Sequence, residues 1–243
     1  MTITPYSTSK VVPGNNIFEI LDTSLPKLKE KDIVVVTSKI VSICQGRVVK
    51  NTVDKQELIR KEAQMYIEEP AISRFHVTLT IKEGILIANS GIDESNSGGY
   101  FILWPKEPFK EAQQIWQHVR KKYSIKNLGV IITDSRLVPL RWGTLGIVLS
   151  WCGFSPLKDY IGKPDIFGRK LRVTKQNIID GLAAAAGVVM GEGNEQTPLA
   201  IIKNAPVHFL EKPSLPSVHI DLKDDMYAPL INSAKWKRGG STA

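Results

Sequence analysis

The sequence predicts a mixed fold in which helices pack on buried strands. Two apolar runs, Asp32 to Val36 and Leu128 to Thr133, have the length and the polar borders of strands that are buried on both faces. A third stretch, Val77 to Ala88, predicts a hairpin that turns at Lys82-Glu-Gly84. With 243 residues, the chain can bury a full hydrophobic core, in one large domain or two small ones.

Caps and spacing predict three helices among these strands. Asn16 is a candidate N-cap for the first helix. Asp54 begins a capping-box pattern for the second helix, which is expected to continue to about Ile67 and to break near Pro70. The apolar face of the segment from Ala112 to Tyr123 predicts the third helix, whose basic end complements the helix dipole.

A fourth predicted helix runs into a loop rich in glycine and glutamate, Gly191-Glu-Gly-Asn-Glu-Gln-Thr-Pro198. Thr174 is its candidate N-cap, and its apolar face is expected at Ile178, Leu182, Ala185 and Val189. The backbone amides of the loop suit phosphate, and the carboxylates of Glu192 and Glu195 suit a divalent metal. Taken alone, the pattern more often indicates a plain turn that ends a helix.

Polar groups follow other core elements in the same way. Asp93 and Asn96 lie in a loop after the hairpin, and Asp134-Ser135 follows the second buried strand. Ser38 and Lys39 follow the first buried strand, at the end where open sheets usually place ligands. Each group alone is also typical of an ordinary turn or a solvated strand end. Three acidic loops at the exits of core elements could converge on a site for two metal ions.

The composition describes an ordinary globular protein with a formal net charge of +8. Apart from two short clusters, the basic residues are scattered and lack a nucleic-acid-binding signature. A small polyanionic substrate would also favour a basic protein, so charge alone does not choose between the two partners, although nucleic acid is the less expected one. Cys44 and Cys152 are the two cysteines, which fits a reducing cytoplasm rather than a disulfide scaffold. Since no apolar run reaches the length of a bilayer span and the N-terminus lacks a signal-peptide core, we expect a cytoplasmic protein without a membrane partner.

Six motifs in a fixed order resemble the gamma-glutamyl ligases that act on the deazaflavin coenzyme (factor-420). The resemblance extends from about residue 10 to about residue 205. Asp-Ser at 134–135 and the segment from Gly98 to Pro105 are closer to bacterial relatives assigned to folate metabolism. The motifs are Thr37-Ser-Lys-Ile-Val-Ser42 with Gln45-Gly-Arg47, Asn89 to Asn96, Ile132-Thr-Asp134, Arg141-Trp-Gly143, Asp159 to Arg169 and Gly191 to Pro198.

The resemblance implies an α+β fold of two interlocked subdomains of mixed sheets and helices, assembled as an intertwined homodimer. It implies a ligase domain over residues 1–210, and we expect residues 211–243 to form a C-terminal extension with a frayed tail. The cofactors implied are two divalent ions, Mg²⁺ or Mn²⁺, with K⁺ as a further candidate. The positions matched to metal are Asp93, Asp134, Ser135 and Glu192. Those matched to the nucleotide are Ser38, Lys39, Asn96, Met190, Gly191, Glu192, Gly193, Asn194, Glu195, Gln196 and Thr197.

The implied reaction joins L-glutamate to an acceptor carboxylate through an acyl phosphate, driven by GTP or ATP. A folate-type acceptor is the leading expectation, and the deazaflavin coenzyme precursor is the alternative. Ile43 stands where the coenzyme ligases often carry lysine, and the N-terminal nucleotide-contacting segment is shorter, so the choice of nucleotide stays open. A nucleotide- or RNA-binding protein without catalysis is the rival from another class.

Charge alone nominates further residues. Arg136, Arg141 and Arg169 are candidates for holding phosphate or acceptor carboxylates, and with Asp134 we expect Arg141 and Arg169 to be catalytic. Trp104, Trp142 and Trp151 could stack on a flat heteroaromatic acceptor, although at least one of them is expected in the core.

Overall fold

A computed structural model describes residues 1–68, 77–213 and 218–241. These residues form the predicted α+β structure, with six α-helices and thirteen strands in four sheets. The helices are α1 (Ile17–Ser24), α2 (Ser38–Cys44), α3 (Lys55–Glu62), α4 (Pro108–Tyr123), α5 (Ile178–Met190) and α6 (Ala228–Ser233). The strands are β1 (Thr2–Tyr6), β2 (Ile33–Thr37), β3 (Val48–Lys50), β4 (Met65–Ile67), β5 (Leu79–Lys82), β6 (Ile85–Ala88), β7 (Tyr100–Ile102), β8 (Gly129–Leu137), β9 (Thr144–Cys152), β10 (Leu157–Asp159), β11 (Lys175–Asn177), β12 (Leu199–Lys203) and β13 (Trp236–Arg238).

The largest sheet has five strands in the order β1-β12-β2-β8-β9. Strands β2 and β8 run parallel, and the other neighbours are antiparallel. Because β2 and β8 lie inside this sheet, the two predicted apolar runs are buried on both faces. Thr37 is paired with Thr133 in this register, so the residues that follow them along the chain, Lys39 and Asp134, are brought to the same edge.

Helices cover both faces of the five-stranded sheet. Leu21 of α1 and Ile115 of α4 belong to the core cluster on one face. Leu182 and Ala186 of α5 belong to the cluster on the other face. Asn16 caps α1 as predicted, because its side chain accepts the N–H of Phe18 at 2.8 Å. The large sheet is therefore the middle layer of a helix–sheet–helix arrangement.

A smaller sheet, in the order β13-β4-β5-β6, contains the predicted hairpin. Glu83 (φ 49°) and Gly84 (φ 72°) form its two-residue turn, and positive φ at both positions matches the twist of the strands. Strand β6 leads through a short 3-10 turn at Asn89–Gly91 into the loop that carries Asp93. The small sheet thus sets the position of the Asp93 carboxylate. Two short ladders, β3-β7 and β10-β11, complete the fold.

The predicted length of the second helix is wrong. Asp54 does cap α3, since its side chain accepts the N–H of Gln56 at 2.7 Å, but the helix ends at Glu62. The three residues up to Ile67 form β4, because they pair with β5 on one side and β13 on the other. Pairing with distant strands overrides the local helical pattern. The predicted break near Pro70 lies outside the described residues.

The start and the buried face of the fourth predicted helix are also wrong. Asn177 caps α5, whereas Thr174 precedes β11 and does not cap the helix. The buried residues of α5 are Ile179, Leu182, Ala183, Ala186 and Met190. Val189, predicted to be buried, is 38% exposed. Almost every residue in this helix is apolar, so the sequence offered little contrast between its faces.

Asp134 and Ser135 lie within a strand rather than after one. Strand β8 continues through them to Leu137, because β9 pairs with β8 along a long hairpin with an irregularity at Ile132/Thr133. The following loop contains Arg141. Helix α4 begins at Pro108, before the predicted start at Ala112.

The C-terminal segment is paired with the small sheet, so the prediction of a frayed tail from Lys237 onward is wrong for residues 237–241. Strand β13 lies antiparallel to β4. The backbone N–H of Gly239 donates to the carbonyl of Gln64 at 2.9 Å, and that of Gly240 donates to Arg60 at 3.0 Å. A Cβ on Gly239 would lie 2.0 Å from the carbonyl oxygen of Ala63, so only glycine fits there. The domain boundary at residue 210 stays a prediction.

Within the described ranges, no helix has both the length and the apolar character needed to cross a membrane. Cys44 and Cys152 are free thiols, the first half-buried and the second buried. Burial raises the pKa of Cys44 to about 11 and that of Cys152 to about 12. Both cysteines are therefore neutral near pH 7, in agreement with a role in packing.

Candidate active site

Lys39 and Asp93 form the centre of the site. The Lys39 Nζ lies 2.6 Å from Asp93 Oδ2 and also donates to the carbonyl and the hydroxyl of Ser95, each at 3.0 Å. Ser95 in turn donates its backbone N–H to Asp93 Oδ1 at 2.8 Å. Burial alone would raise the pKa of Asp93, but the hydrogen bond and the charge of Lys39 lower it below the usual aspartate value. Asp93 is therefore an ionised carboxylate with a cation bound to it.

Asp134 lies beside this pair and is only partly exposed. Its Oδ1 accepts the backbone N–H of Ser135 at 2.8 Å, and its Oδ2 accepts the indole N–H of Trp104. Burial raises the pKa of Asp134 to about 6, and the nearby charge of Asp93 contributes in the same direction. Asp93 is paired with Lys39, whereas Asp134 accepts hydrogen bonds from neutral groups. Two neighbouring carboxylates with a single ammonium partner form a local environment that favours an added cation.

The loop after α5 reaches the other predicted residues through two hydrogen bonds. Asn96, in a left-handed conformation (φ 53°), donates its side-chain amide to the carbonyl of Gly193 at 2.7 Å. The hydroxyl of Ser135 donates to Glu192 Oε1 at 2.8 Å. Gly191 has φ 80°, which confirms that a residue tolerant of positive φ is needed at the end of the helix. The three predicted acidic loops therefore meet at one place.

Within the loop, several predicted nucleotide residues bind other parts of the chain. Glu195 accepts the N–H of Gly193 at 2.8 Å, so a carboxylate occupies that backbone donor. Gln196 donates to the carbonyl of Thr8 at 2.6 Å, and Thr197 donates to that of Met190 at 2.5 Å. These bonds fix the shape of the loop. The remaining nucleotide candidates are in three settings: buried (Ser38 and Met190), exposed in the loop (Gly191, Glu192 and Asn194) and paired with Asp93 (Lys39).

The residues matched to metal supply only oxygen atoms. Asp93, Asp134 and Glu192 offer carboxylates and Ser135 a hydroxyl, which suits Mg²⁺ or Mn²⁺ rather than a softer metal. In the described part of the chain, no three or more His, Cys, Asp or Glu side chains are already gathered as a metal site. The donor chemistry therefore fits a hard divalent cation, while the side chains are arranged around Lys39.

The predicted catalytic arginines do not bind these carboxylates within the described part of the chain. Arg141 and Arg169 are both exposed, in the loop after β8 and in the loop after β10. Across the described ranges, no hydrogen bond or ion pair joins either side chain to Asp93, Asp134 or Glu192. The third candidate, Arg136, is half-buried on β8, and its Nε has no partner among the described atoms.

Trp104 is the site residue that sequence patterns assigned to the wrong role. It is buried, at 3% exposure, and bonds Asp134, so it is not free to stack on an acceptor. Trp151 is buried in the core at 1%, whereas Trp142 is 86% exposed. Ser95, which supports both Lys39 and Asp93, was also missed. The only sequence signal for either residue is its presence inside or beside a family motif.

Comparisons with known proteins identify relatives over most of the chain. A sequence model of the F420-0:gamma-glutamyl ligase family matches residues 6–204. A coenzyme F420:L-glutamate ligase from Methanococcus maripaludis is 37% identical over 216 residues, covering 82% of this chain and 86% of the relative. Ligases of the same name from Methanocaldococcus jannaschii (34% identical, covering 75% and 79%) and Haloarcula marismortui (32%, covering 80% and 83%) also match. The chain therefore belongs to the F420-0:gamma-glutamyl ligase family and is an amide-bond-forming ligase.

Proposed function

We propose that this protein uses a nucleoside triphosphate and divalent metal to join L-glutamate to the carboxylate of a deazaflavin coenzyme precursor of the F420-0 type. The observation that carries the proposal is the meeting of the Lys39–Asp93 pair, Asp134 and the loop from Gly191 to Pro198. The names of the relatives support the deazaflavin acceptor. None of the relatives described above is named for folate, so the expected folate-type acceptor becomes the competing candidate.

The metal would be held by Asp93, Asp134 and Glu192, with Ser135 as a further oxygen donor. When bound, Mg²⁺ or Mn²⁺ would neutralise charge on the triphosphate and on the phosphoryl group in transfer. The ammonium group of Lys39 now neutralises Asp93. With a metal ion present, Lys39 would be available for a phosphate oxygen, which agrees with its assignment to the nucleotide.

The loop after α5 and Asn96 would bind the nucleotide. The N–H of Gly193 donates to the carboxylate of Glu195, which marks a backbone donor that can bind an anionic oxygen. Asn96 holds this loop against the loop that carries Asp93, so the proposed phosphate and metal sites would be adjacent. GTP and ATP are both compatible with these contacts, since none of them reads a base.

The reaction would proceed in two displacements. A carboxylate oxygen of the acceptor attacks the γ-phosphorus, the bond to the β-phosphate oxygen breaks, and the nucleoside diphosphate leaves. The amine of glutamate then attacks the acyl carbon, loses a proton, and displaces inorganic phosphate to leave the amide. The protein contributes positioning and charge neutralisation by Lys39 and the acidic loops, and by Arg141 and Arg169 if these reach the acceptor or glutamate.

Arg141 and Arg169 would reach the carboxylates of the candidate site in a second copy of the chain. The arms, which we define as residues 137–145 and 160–173, expose large apolar side chains: Leu140 at 103%, Ile166 at 93% and Phe167 at 88%. Exposed apolar side chains at this density favour association. Arg141 and Arg169 belong to the arms, so an intertwined homodimer would carry them to the partner's carboxylates.

Mass spectrometry of the product tests the proposal. The protein is incubated with L-glutamate, Mg²⁺ or Mn²⁺, GTP or ATP, and either the deazaflavin precursor or a folate. We expect the deazaflavin precursor to gain a glutamyl unit only when metal and one nucleotide are present. A glutamyl unit gained only by the folate would identify a folate as the acceptor. Absence of a glutamylated product under every condition would contradict the proposal.

The rival, a nucleic-acid-binding protein without catalysis, predicts a different result. It requires salt-sensitive binding to oligonucleotides and no effect of metal. We expect instead that Mg²⁺ with the nucleotide raises the melting temperature more than either alone, since a ligand of the native state must stabilise it. Stabilisation by a metal-free oligonucleotide alone would favour the rival.

A further inference from the structure

Trp104 contacts the loop that carries Asp93 and the strand that carries Asp134. Its indole N–H donates to Asp134 Oδ2. Gly91, two residues before Asp93, packs against the same ring so closely that a Cβ there would lie 2.0 Å from Nε1. Gly91 also has φ 70°, a conformation that favours glycine. One indole ring therefore fills the space between the Asp93 loop and the Asp134 strand.

A charged network holds this ring from behind. Arg47 Nε donates to the carbonyl of Trp104 at 3.1 Å, and the Arg47 guanidinium pairs with Glu62 at 2.8 Å. Lys82 pairs with the same Glu62 at 2.7 Å, and its Nζ lies 5.6 Å from the centroid of the Trp104 ring. The ring is thus fixed by backbone, by packing and by a cation above its face.

The carboxylate of Asp134 gains a defined orientation from these contacts. Its two oxygens accept from different donors, the backbone N–H of Ser135 and the indole of Trp104. The indole nitrogen is a donor only, so it always presents a hydrogen to the carboxylate and never competes for a cation. Groups that orient a metal ligand in this way typically change metal affinity roughly 10–100-fold when they are removed.

We propose that Trp104 is a positioning residue that holds the Asp134 carboxylate at a fixed separation from Asp93, so that one divalent cation can bind both. The inference rests on the proposed function in one respect, the assignment of Asp134 to metal. It adds a residue outside the metal and nucleotide sets, and it links the proposed metal site to the partly buried Arg47–Glu62–Lys82 network.

Trp104→Phe, compared with Trp116→Phe, tests the proposal. Trp116 is also 3% exposed and donates its indole N–H at 2.8 Å to the carbonyl of Leu128, so both changes remove a buried indole hydrogen bond. Binding of Mn²⁺ is measured directly by electron paramagnetic resonance, and the metal and glutamate dependence of ligation are measured separately. We expect Trp104→Phe to weaken Mn²⁺ binding roughly 10–100-fold with little change in the KM for glutamate, and Trp116→Phe to leave both near wild type.

Two further variants make the result decisive. If Trp104→Phe does not fold, Gly91→Ala displaces the ring without deleting it and is expected to weaken Mn²⁺ binding in the same direction. In an Asp134→Asn background, Trp104→Phe is expected to cause no further loss, because the residue acts through that carboxylate.

The possible outcomes separate the inference from the proposed function. Wild-type affinity for Mn²⁺ in both the Trp104 and Gly91 variants, or an equal loss in Trp116→Phe, would overturn the positioning role alone. Wild-type protein that binds no Mn²⁺ would overturn the proposed metal site and the positioning role with it.

Discussion

Two regions of this protein carry predicted ligase residues in contrasting surroundings. The inner wall, which we define as Asp134, Trp104, Arg47, Glu62 and Lys82, is packed and hydrogen-bonded within one chain. The arms carry Arg141 and Arg169 on exposed loops beside fully exposed apolar side chains. Under the proposed function, a single chain would organise metal binding, whereas these arginines would bind glutamate or acceptor only in an assembly. Changes to the wall and to the arms should therefore have separable effects.

The largest effect is expected at Asp134, where a loss of activity should be accompanied by a change in how stability depends on pH. Asp134→Asn removes a proposed metal ligand and is expected to lower ligation at least about a hundredfold. The same change removes a group that titrates in the native state, although the new amide NH₂ faces the N–H of either Trp104 or Ser135. Since burial raises the pKa of Asp134 from 3.8 to about 6, the native state binds this proton more tightly than the unfolded state does. Ionising it above pH 6 therefore costs stability, of the order of 1–3 kcal/mol.

Thermal unfolding in a chelator at several pH values checks this sign. The stability of wild type relative to the variant should fall by about 1–3 kcal/mol as the pH rises from about 4 to above 6. A stability difference between the two proteins that does not change over this range would contradict the origin given for the pKa of Asp134, even if ligation is lost.

The second effect concerns the buried charges of the wall. Glu62→Gln leaves Lys82, whose side chain is 5% exposed, without its carboxylate partner, and should cost about 3 kcal/mol. Burial alone lowers the pKa of Lys82 and raises that of Glu62, but the cations hold the pKa of Glu62 below its usual value. The stabilisation from Glu62 is thus present above that usual value and is lost as the pH falls through the lowered one.

Glu107→Gln provides a matched control for denaturant unfolding. Glu107 pairs with Lys110, and the two side chains are 70% and 62% exposed, so loss of this ion pair should cost less than about 0.5 kcal/mol of stability. Equal costs for the two variants near pH 7 would indicate that the wall is not held by its charges.

The smallest effect on the wall is expected from changes in the arms. Replacing Ile166 and Phe167 together by serine should weaken a homodimer roughly tenfold or more and lower ligation accordingly. Mn²⁺ binding should stay within about twofold of wild type. Light scattering gives the mass, and Val12→Ser, at 53% exposure outside the arms, is the control. A wild-type protein that is monomeric, or a variant that loses Mn²⁺ binding together with ligation, would contradict the separation of roles between wall and arms.

The sequence predicted those features that local patterns determine. The cap at Asn16, the turn at Glu83-Gly84 and the two buried strands follow from side-chain chemistry over a few residues. The family motifs predicted that Asp93, Asp134 and Glu192 belong to one site. These residues do meet through Asn96 and Ser135.

The features that were missed depend on distant partners. Residues 65–67 form a strand because β5 and β13 pair with them, and Asp134 lies inside a strand because β9 extends along it. The contact between Trp104 and Asp134 joins positions 30 residues apart and leaves no local pattern. The face of α5 was misassigned because alanine, glycine and valine surround the helix and hide its polarity.

The central claim is nucleotide-driven amide formation at these carboxylates. Its most direct test follows an oxygen atom from the carboxylate of the acceptor into inorganic phosphate. The deazaflavin precursor is labelled with oxygen-18 in its carboxylate and incubated with L-glutamate, Mg²⁺ and the nucleotide, using wild type and Asp134→Ala. An acyl phosphate requires one labelled oxygen to leave with inorganic phosphate, so the wild type should yield glutamylated product and labelled phosphate together, and the variant neither. Glutamylation without label in phosphate, or at a wild-type rate in the variant, would contradict the account.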